Sequence, residues 1–243
     1  MSKKDQSDHF NETHHALLFA WIANAVEEQV GQQKGEAVIR KAVRQYGEER
    51  GRRMLLRAQA KKHALSMINY LGYREYNISP GVMDLKIISK PPHAMFRIST
   101  CPWQRAWEEN GLMSVGKLYC LEIDQALLRG FNPDLQLDVI LTLSNGDPRC
   151  EFVYHDANLK IPNIVLFGYR KGINPGPKAV MPWDYHVGHL FNTFEKTAYE
   201  ELGKAGKQAV ETGLAKFGER YGESAMKKVM VSRNVDFDIV PLG

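Results

Sequence analysis

The feature that most constrains this chain is an internal repeat. "GEAVIRKAVRQYGEERG" (Gly35–Gly51) aligns without a gap on "GKQAVETGLAKFGERYG" (Gly206–Gly222). Tyr46 meets Phe217, while Gly47, Glu48 and Gly51 meet Gly218, Glu219 and Gly222. His15 meets His186 in the same register. Both segments have helical character, so the repeat predicts one helical hairpin used twice. Glycines four apart share a helix face and admit another backbone. Each costs about 1 kcal/mol relative to alanine in a helix interior, so close packing must compensate. The matched glycines therefore predict that the hairpins pack on each other or on a sheet. The same faces can pair two copies of the chain, which leaves a homo-oligomer open.

Between the hairpins the hydrophobic period changes. "GVMDLKIIS" and "HAMFRIST" read as strands around the turn "KPP". "DLQLDVILTL", "SNGDP" and "RCEFVYHD" read as a second hairpin, because Asn-Gly and Asp-Pro form turns. Two short helices separate these pairs. The expectation is an α+β protein: a small antiparallel sheet of about four strands, helices on one face, and flanking N- and C-terminal helical hairpins. It reads as one domain over 1–243, with a helical part (11–71), a sheet part (82–156) and a second helical part (183–231). Gly31 stops the first helix, a second starts near Lys34, and "FGYRKGINPGPKAVMP" reads as a loop.

Composition excludes several classes. The 243 residues are 44% hydrophobic and 25% charged, with a net charge of +4. No dense basic run with interleaved aromatics points to nucleic acid. The longest apolar stretch, "ALLFAWIANAV", is too short to span a bilayer. Three widely spaced cysteines, Cys101, Cys120 and Cys150, suit reduced thiols better than a disulfide framework. With no apolar signal core at the N-terminus, a cytoplasmic location is expected. No G-x-G-x-x-G, Walker or G-x-S-x-G pattern supports a nucleotide cofactor or a serine hydrolase.

Chemistry-bearing residues concentrate between Ser99 and Pro133. Pro102 favours the first turn of a helix, which puts Cys101 at its N-cap, where unpaired N–H groups favour a thiolate. The competing reading is a small buried hydrophobe. Trp103, Trp107 and Tyr119 can wall a pocket for a flat ligand or simply cover the sheet. Cys120 and Asp124, four apart, are expected on one side of one helix. Asp124 can hold a cationic amidine or orient water. Gly130 and Pro133 end that helix, which places Asn132 in a fixed turn. His155, at the end of the last strand, can carry a proton. No cofactor is expected. The runner-up is zinc or another divalent metal on Cys101, Cys120, Cys150 and His155, or on His14, His15, His186 and His189, though neither set has a recognised ligand spacing.

"CPW", "GKLYCLEIDQALLRGFNP" and "LSNGDPRCEF" together resemble the L-2-amino-thiazoline-4-carboxylic acid hydrolase family, over most of the chain. The resemblance implies hydrolytic opening of a small sulfur-containing cyclic amidine acid to an N-carbamoyl amino acid. That chemistry needs a carboxylate for the amidinium, which Asp124 can supply. It needs a cation for the substrate carboxylate, which Arg97 or Arg105 can supply. It also needs a nucleophile, either Cys101 or water activated by Asp124 or His155. Trp103, Tyr119, Cys120 and Asn132 complete the expected substrate contacts. The only partner implied is the small-molecule substrate. The alternative is a non-enzymatic small-molecule-binding or sensor module.

Overall fold

The computed structural model describes residues 9–162, 165, 168 and 179–240. The Gly- and Pro-rich loop expected after Val165 lies largely outside them. The protein is α+β. Its contacts divide into two units: 1–46, 102–121 and 182–236 form the first, and 47–101, 122–181 and 237–243 form the second.

The first unit contains α1 (Glu12–Val30), the N-terminal part of α2 (Gln32–Ala60), α4 (Pro102–Glu109) and α5 (Met113–Cys120). It also contains α7 (Trp183–Leu202), α8 (Lys204–Tyr221) and α9 (Glu223–Met230). Asn11 caps α1, its side chain accepting from the Thr13 and His14 N–H groups. Gly31, with φ +83°, ends it as expected. The Ala16–Val26 stretch is almost wholly buried, which identifies its all-round apolarity as that of a central helix. The repeat is visible in matched closures. A Cβ on Gly35 would meet the Glu27 backbone, and one on Gly206 would meet the Ala198 carbonyl. These pairs occupy equivalent positions in the two hairpins.

The second unit holds the sheet: β1 (Asp84–Lys90), β2 (His93–Thr100), β3 (Leu137–Leu141) and β4 (Cys150–Tyr154). All pairings are antiparallel, in the order β1-β2-β4-β3. Both expected hairpins form, joined through β2 and β4 with Ile98 opposite Cys150. Ala94, Phe96, Cys150, Phe152 and Tyr154 point to the covered face. There they pack with Met54 and Ala58 of α2, with α3 (Met67–Gly72), and with α6 (Ile123–Phe131).

Two expectations are corrected. The hairpins do pack on each other, α1 against α8 with Gly213 on the Ile22 backbone, but Gly47 and Gly51 do not make that contact: the atoms nearest a Cβ at either belong to α6. A Cβ at Gly47 would lie 2.6 Å from the Ala126 Cβ. One at Gly51 would run into the Leu127 carbonyl oxygen and sit 2.7 Å from the Phe131 nitrogen. Gly218 faces only the Met226 side chain, and Gly222, at φ +96°, ends α8. The second correction concerns Cys120 and Asp124, which do not share a helix. α5 ends at Cys120 and α6 begins at Ile123.

Behind the sheet lies a buried ionic cluster. Arg50, Arg53 and Arg57 follow one stripe of α2 and converge on Glu75. Arg53 donates to both Glu75 oxygens at 2.8 Å and to the Phe237 carbonyl at 2.8 Å. Arg57 reaches Glu75 Oε1 at 2.6 Å, and Arg50 Nε lies 3.6 Å from Oε2. Removing one partner of such a cluster leaves buried charge uncompensated.

Two outcomes follow in urea unfolding. Gly51→Ala should lose about 2–4 kcal/mol through backbone overlap, whereas Gly218→Ala, whose Cβ meets only a flexible methionine, should stay within about 1 kcal/mol of wild type. Glu75→Gln should cost about 3–5 kcal/mol.

Candidate functional site

The second unit contains a cavity of about 170 Å3 lined by residues including Arg50, Tyr70, Arg74, Glu75, Tyr76 and Leu127. Drug-sized pockets run to roughly 300–1,000 Å3, so this one suits a small molecule. α2 supplies Arg50, held on one side by Glu75 and stacked 4.4 Å from the Tyr76 ring centre on the other. α3 supplies Tyr70, and the segment after it supplies Arg74, Glu75 and Tyr76.

Asp124 is not among the residues lining this cavity, but its charge is felt by Tyr70 and Tyr76, which are, and it feels the charge of Arg50. It lies in the first turn of α6, where the positive helix end favours a carboxylate by about 0.3–1 kcal/mol, under one pKa unit. Burial outweighs that. Loss of water raises its carboxyl to about 6, with the Arg50 cation opposing the rise. The carboxylate's charge in turn helps to hold the Tyr70, Tyr76 and Tyr154 phenols above their ordinary range, burial being the larger cause for each. The three phenols thus remain protonated O–H donors at neutral pH.

Cys101 and Asp124 act on the same two groups, Tyr76 and Cys150. Cys101 is partly exposed and immediately precedes α4, whose first residue is Pro102 as expected. Cys150 is buried on the covered face of β4, and its Sγ accepts from the Leu143 N–H at 3.3 Å. Burial pushes its thiol up to about 11.

The other residues selected from sequence sit elsewhere. Arg97 points to the opposite face of the sheet, where it pairs with Glu151 at 2.6 Å beside Arg149. Strand alternation puts that face away from Cys150, so Arg97 cannot serve a ligand beside Asp124. His155 bonds Asp138 at 2.8 Å and packs on His93, which removes it from the hollow as a proton carrier. Asn132 caps α6 and donates to the Leu65 carbonyl at 2.9 Å while accepting from the Asp134 N–H, a structural tie.

Trp103, Arg105, Tyr119 and Cys120 belong to the first unit. Trp103 donates to His15 Nδ1 at 3.1 Å, and His15 Nε2 lies 3.0 Å from the Tyr46 hydroxyl. Because Nδ1 accepts, His15 is held as the neutral Nε2–H tautomer. Tyr119 packs edge-on against Phe19 in the same buried aromatic cluster. Arg105 is exposed on α4, and Cys120 ends α5. Among the described residues no three His, Cys, Asp or Glu side chains form a group that could hold a metal ion. The runner-up zinc sets are therefore not assembled; His155 is committed to Asp138 on the side of the sheet away from Cys150.

Sequence reading missed Arg50, Tyr70, Arg74 and Tyr76. A signal was present for Arg50. It lies on the helical stripe of Gly47, Gly51 and Met54, where an arginine is out of place unless something charged meets it.

A carboxyl tuned near neutrality in the field of a guanidinium that lines a small cavity with phenol donors is the kind of arrangement in which functional sites of small-molecule proteins are found. Comparison with protein families sharpens that class. Residues 11–154 match the model for L-2-amino-thiazoline-4-carboxylic acid hydrolase, and the chain belongs to that family. The name is that of a hydrolase. The match runs from Asn11 to Tyr154, which is most of the chain and includes the N-terminal helices, as expected, and it leaves α7–α9 outside. No curated protein and no solved structure matches the chain. Among the described residues no helix is long and apolar enough to cross a membrane.

The two thiols should separate under iodoacetamide at pH 7.5. Cys101 should alkylate at least about 100-fold faster than Cys150, whose thiolate is scarce and covered. Equal rates, read by peptide mass spectrometry, would remove the distinction.

Proposed function

We propose that the protein hydrolyses a non-peptide bond in a small cyclic amidine or amide, of the L-2-amino-thiazoline-4-carboxylate type, giving an N-carbamoyl amino acid. Asp124 is the general base in this reading. The observation that carries it is the Asp124 carboxyl, raised to about 6 by burial against the opposing field of the Arg50 cation. A base with its pKa near the working pH is both ionised and still able to hold the proton it takes.

Water adds to the ring carbon between nitrogen and sulfur, and Asp124 accepts the water's proton. The carbon–sulfur bond then breaks, the electron pair goes to sulfur, and Asp124 returns its proton to give a thiol. The proton left on the added hydroxyl is released to solvent as that oxygen becomes a carbonyl, discharging the amidinium charge of the substrate. The ring nitrogen and the exocyclic nitrogen stay on the same carbon, now a urea carbonyl. The protonated phenols of Tyr70 and Tyr76 supply hydrogen-bond donors for charge that develops on the added oxygen.

Steady-state kinetics with 2-amino-thiazoline-4-carboxylate test this. Asp124→Asn should lower kcat about 10²–10⁴-fold. Below pH about 6, kcat/KM should fall tenfold per unit as Asp124 protonates, and the fall should be absent in the variant's residual rate. Cys101→Ser should stay within about tenfold of wild type. An inactive Cys101→Ser, with a covalent adduct on wild-type Cys101 by mass spectrometry, would transfer the attack to the thiol. Tight binding of cyclic amidines without any turnover would instead establish a binding module.

A further inference from the structure

Arg74 is the one cation lining the cavity whose role the fold does not already explain. Arg50 is engaged by Glu75, by the face of Tyr76 and by the field of Asp124. Arg53 and Arg57 are engaged by Glu75. Arg74 has no carboxylate partner among the described residues, and its Nε is buried without a hydrogen-bond partner. Burial also draws its guanidinium below the ordinary arginine range. A buried N–H left unpaired costs free energy that a bound anion recovers, and a carboxylate can take it together with a neighbouring N–H of the same guanidinium in two parallel N–H···O bonds.

From the cavity and this unpaired edge we infer that Arg74 is the specificity-determining residue of the site, taking the carboxylate of a small zwitterionic substrate. The inference rests on the ring-opening reading for the identity of the substrate, but not for the existence of the anion site. It also replaces Arg97 and Arg105, which lie on the far face of the sheet and on the surface of the first unit. A substrate held in this way presents an anionic end to Arg74 and its amidine to Asp124.

The experiment compares 2-amino-thiazoline-4-carboxylate with 2-amino-2-thiazoline, which lacks the carboxylate. Turnover and calorimetric binding are measured for wild type, Arg74→Gln and Arg74→Lys. Wild type should prefer the acid by about 100-fold in kcat/KM, and Arg74→Gln should reduce that preference to less than about fivefold, chiefly through KM. Arg74→Lys keeps the charge but loses the two-point contact and should fall between them. An unchanged preference in both variants would overturn the inference. So would an equal loss on both compounds, which marks a structural role. Should wild type turn over neither compound, the ring-opening reading fails while the anion site is still decided by calorimetry: selective loss of acid binding in Arg74→Gln supports it, and no binding of the acid by wild type ends it. If Arg74→Gln does not fold, the Arg74→Lys preference decides.

Discussion

One buried carboxylate organises the second unit. Glu75 is fully enclosed and gathers Arg50, Arg53 and Arg57 from a single stripe of α2. Three like charges on one helix face repel. They are tolerable in the interior because Glu75 neutralises one charge and satisfies several donors together. Such clusters are weak contributors to net stability but strict about geometry. The main chain reinforces that geometry, since the Met181 N–H donates to the Glu75 carbonyl at 2.7 Å. Fixing Glu75 fixes its sequence neighbours Arg74 and Tyr76, and both line the cavity.

The second constraint is the backbone contact between α2 and α6. Gly47 and Gly51 on one helix and Gly130 on the other remove the side chains that would hold the axes apart. Gly130 lies against the Glu48 carbonyl while Gly51 lies against the Leu127 carbonyl, so the approach is reciprocal. Asp124 sits one turn before Leu127, and Arg50 sits next to Gly51. The close approach therefore brings a carboxylate and a guanidinium into electrostatic range in a region poor in water, where charges interact more strongly than at a surface. The glycines, costly in a helix, are explained by the close backbone approach they permit.

Much of this architecture is legible in the sequence. The repeat predicts matched hairpin closures, and Gly35 against Glu27 corresponds to Gly206 against Ala198. The turn residues predict both strand pairs. Asp124 stands out as an acid among apolar neighbours. What the sequence does not carry is partner choice. Gly47 and Gly218 are aligned, yet α2 continues to Ala60 and meets α6, while α8 stops at Tyr221. The break between Cys120 and Ile123 has no proline or glycine to announce it. Its mark is a phase slip, with Leu121 exposed and Glu122 buried, visible only once the helices are placed. Arg97 looked suited to a substrate carboxylate because one-dimensional proximity to Cys101 does not say which face of β2 it takes. Arg74 and Arg50, distant in sequence from Asp124, are reached only through the fold.

The electrostatics of the hollow also bear on which group attacks. Ionised Asp124 raises the pKa of Cys150 and of three phenols, and Cys101 raises that of Cys150 and Tyr76. Each of these groups disfavours a negative charge on the others, because like charges in a poorly solvated site do not coexist cheaply. Arg50 is the cation that acts on Asp124, and it is shared with Glu75. Asp124, with its carboxyl near 6, is about nine-tenths ionised at pH 7 and already takes up that compensation. The resting site thus favours a single anion on the carboxylate, and a reaction that begins by moving a proton from water to Asp124 removes that anion as charge builds on the substrate. An attack by Cys101 would add a second anion before the first is discharged. On this ground the proposed route runs through water.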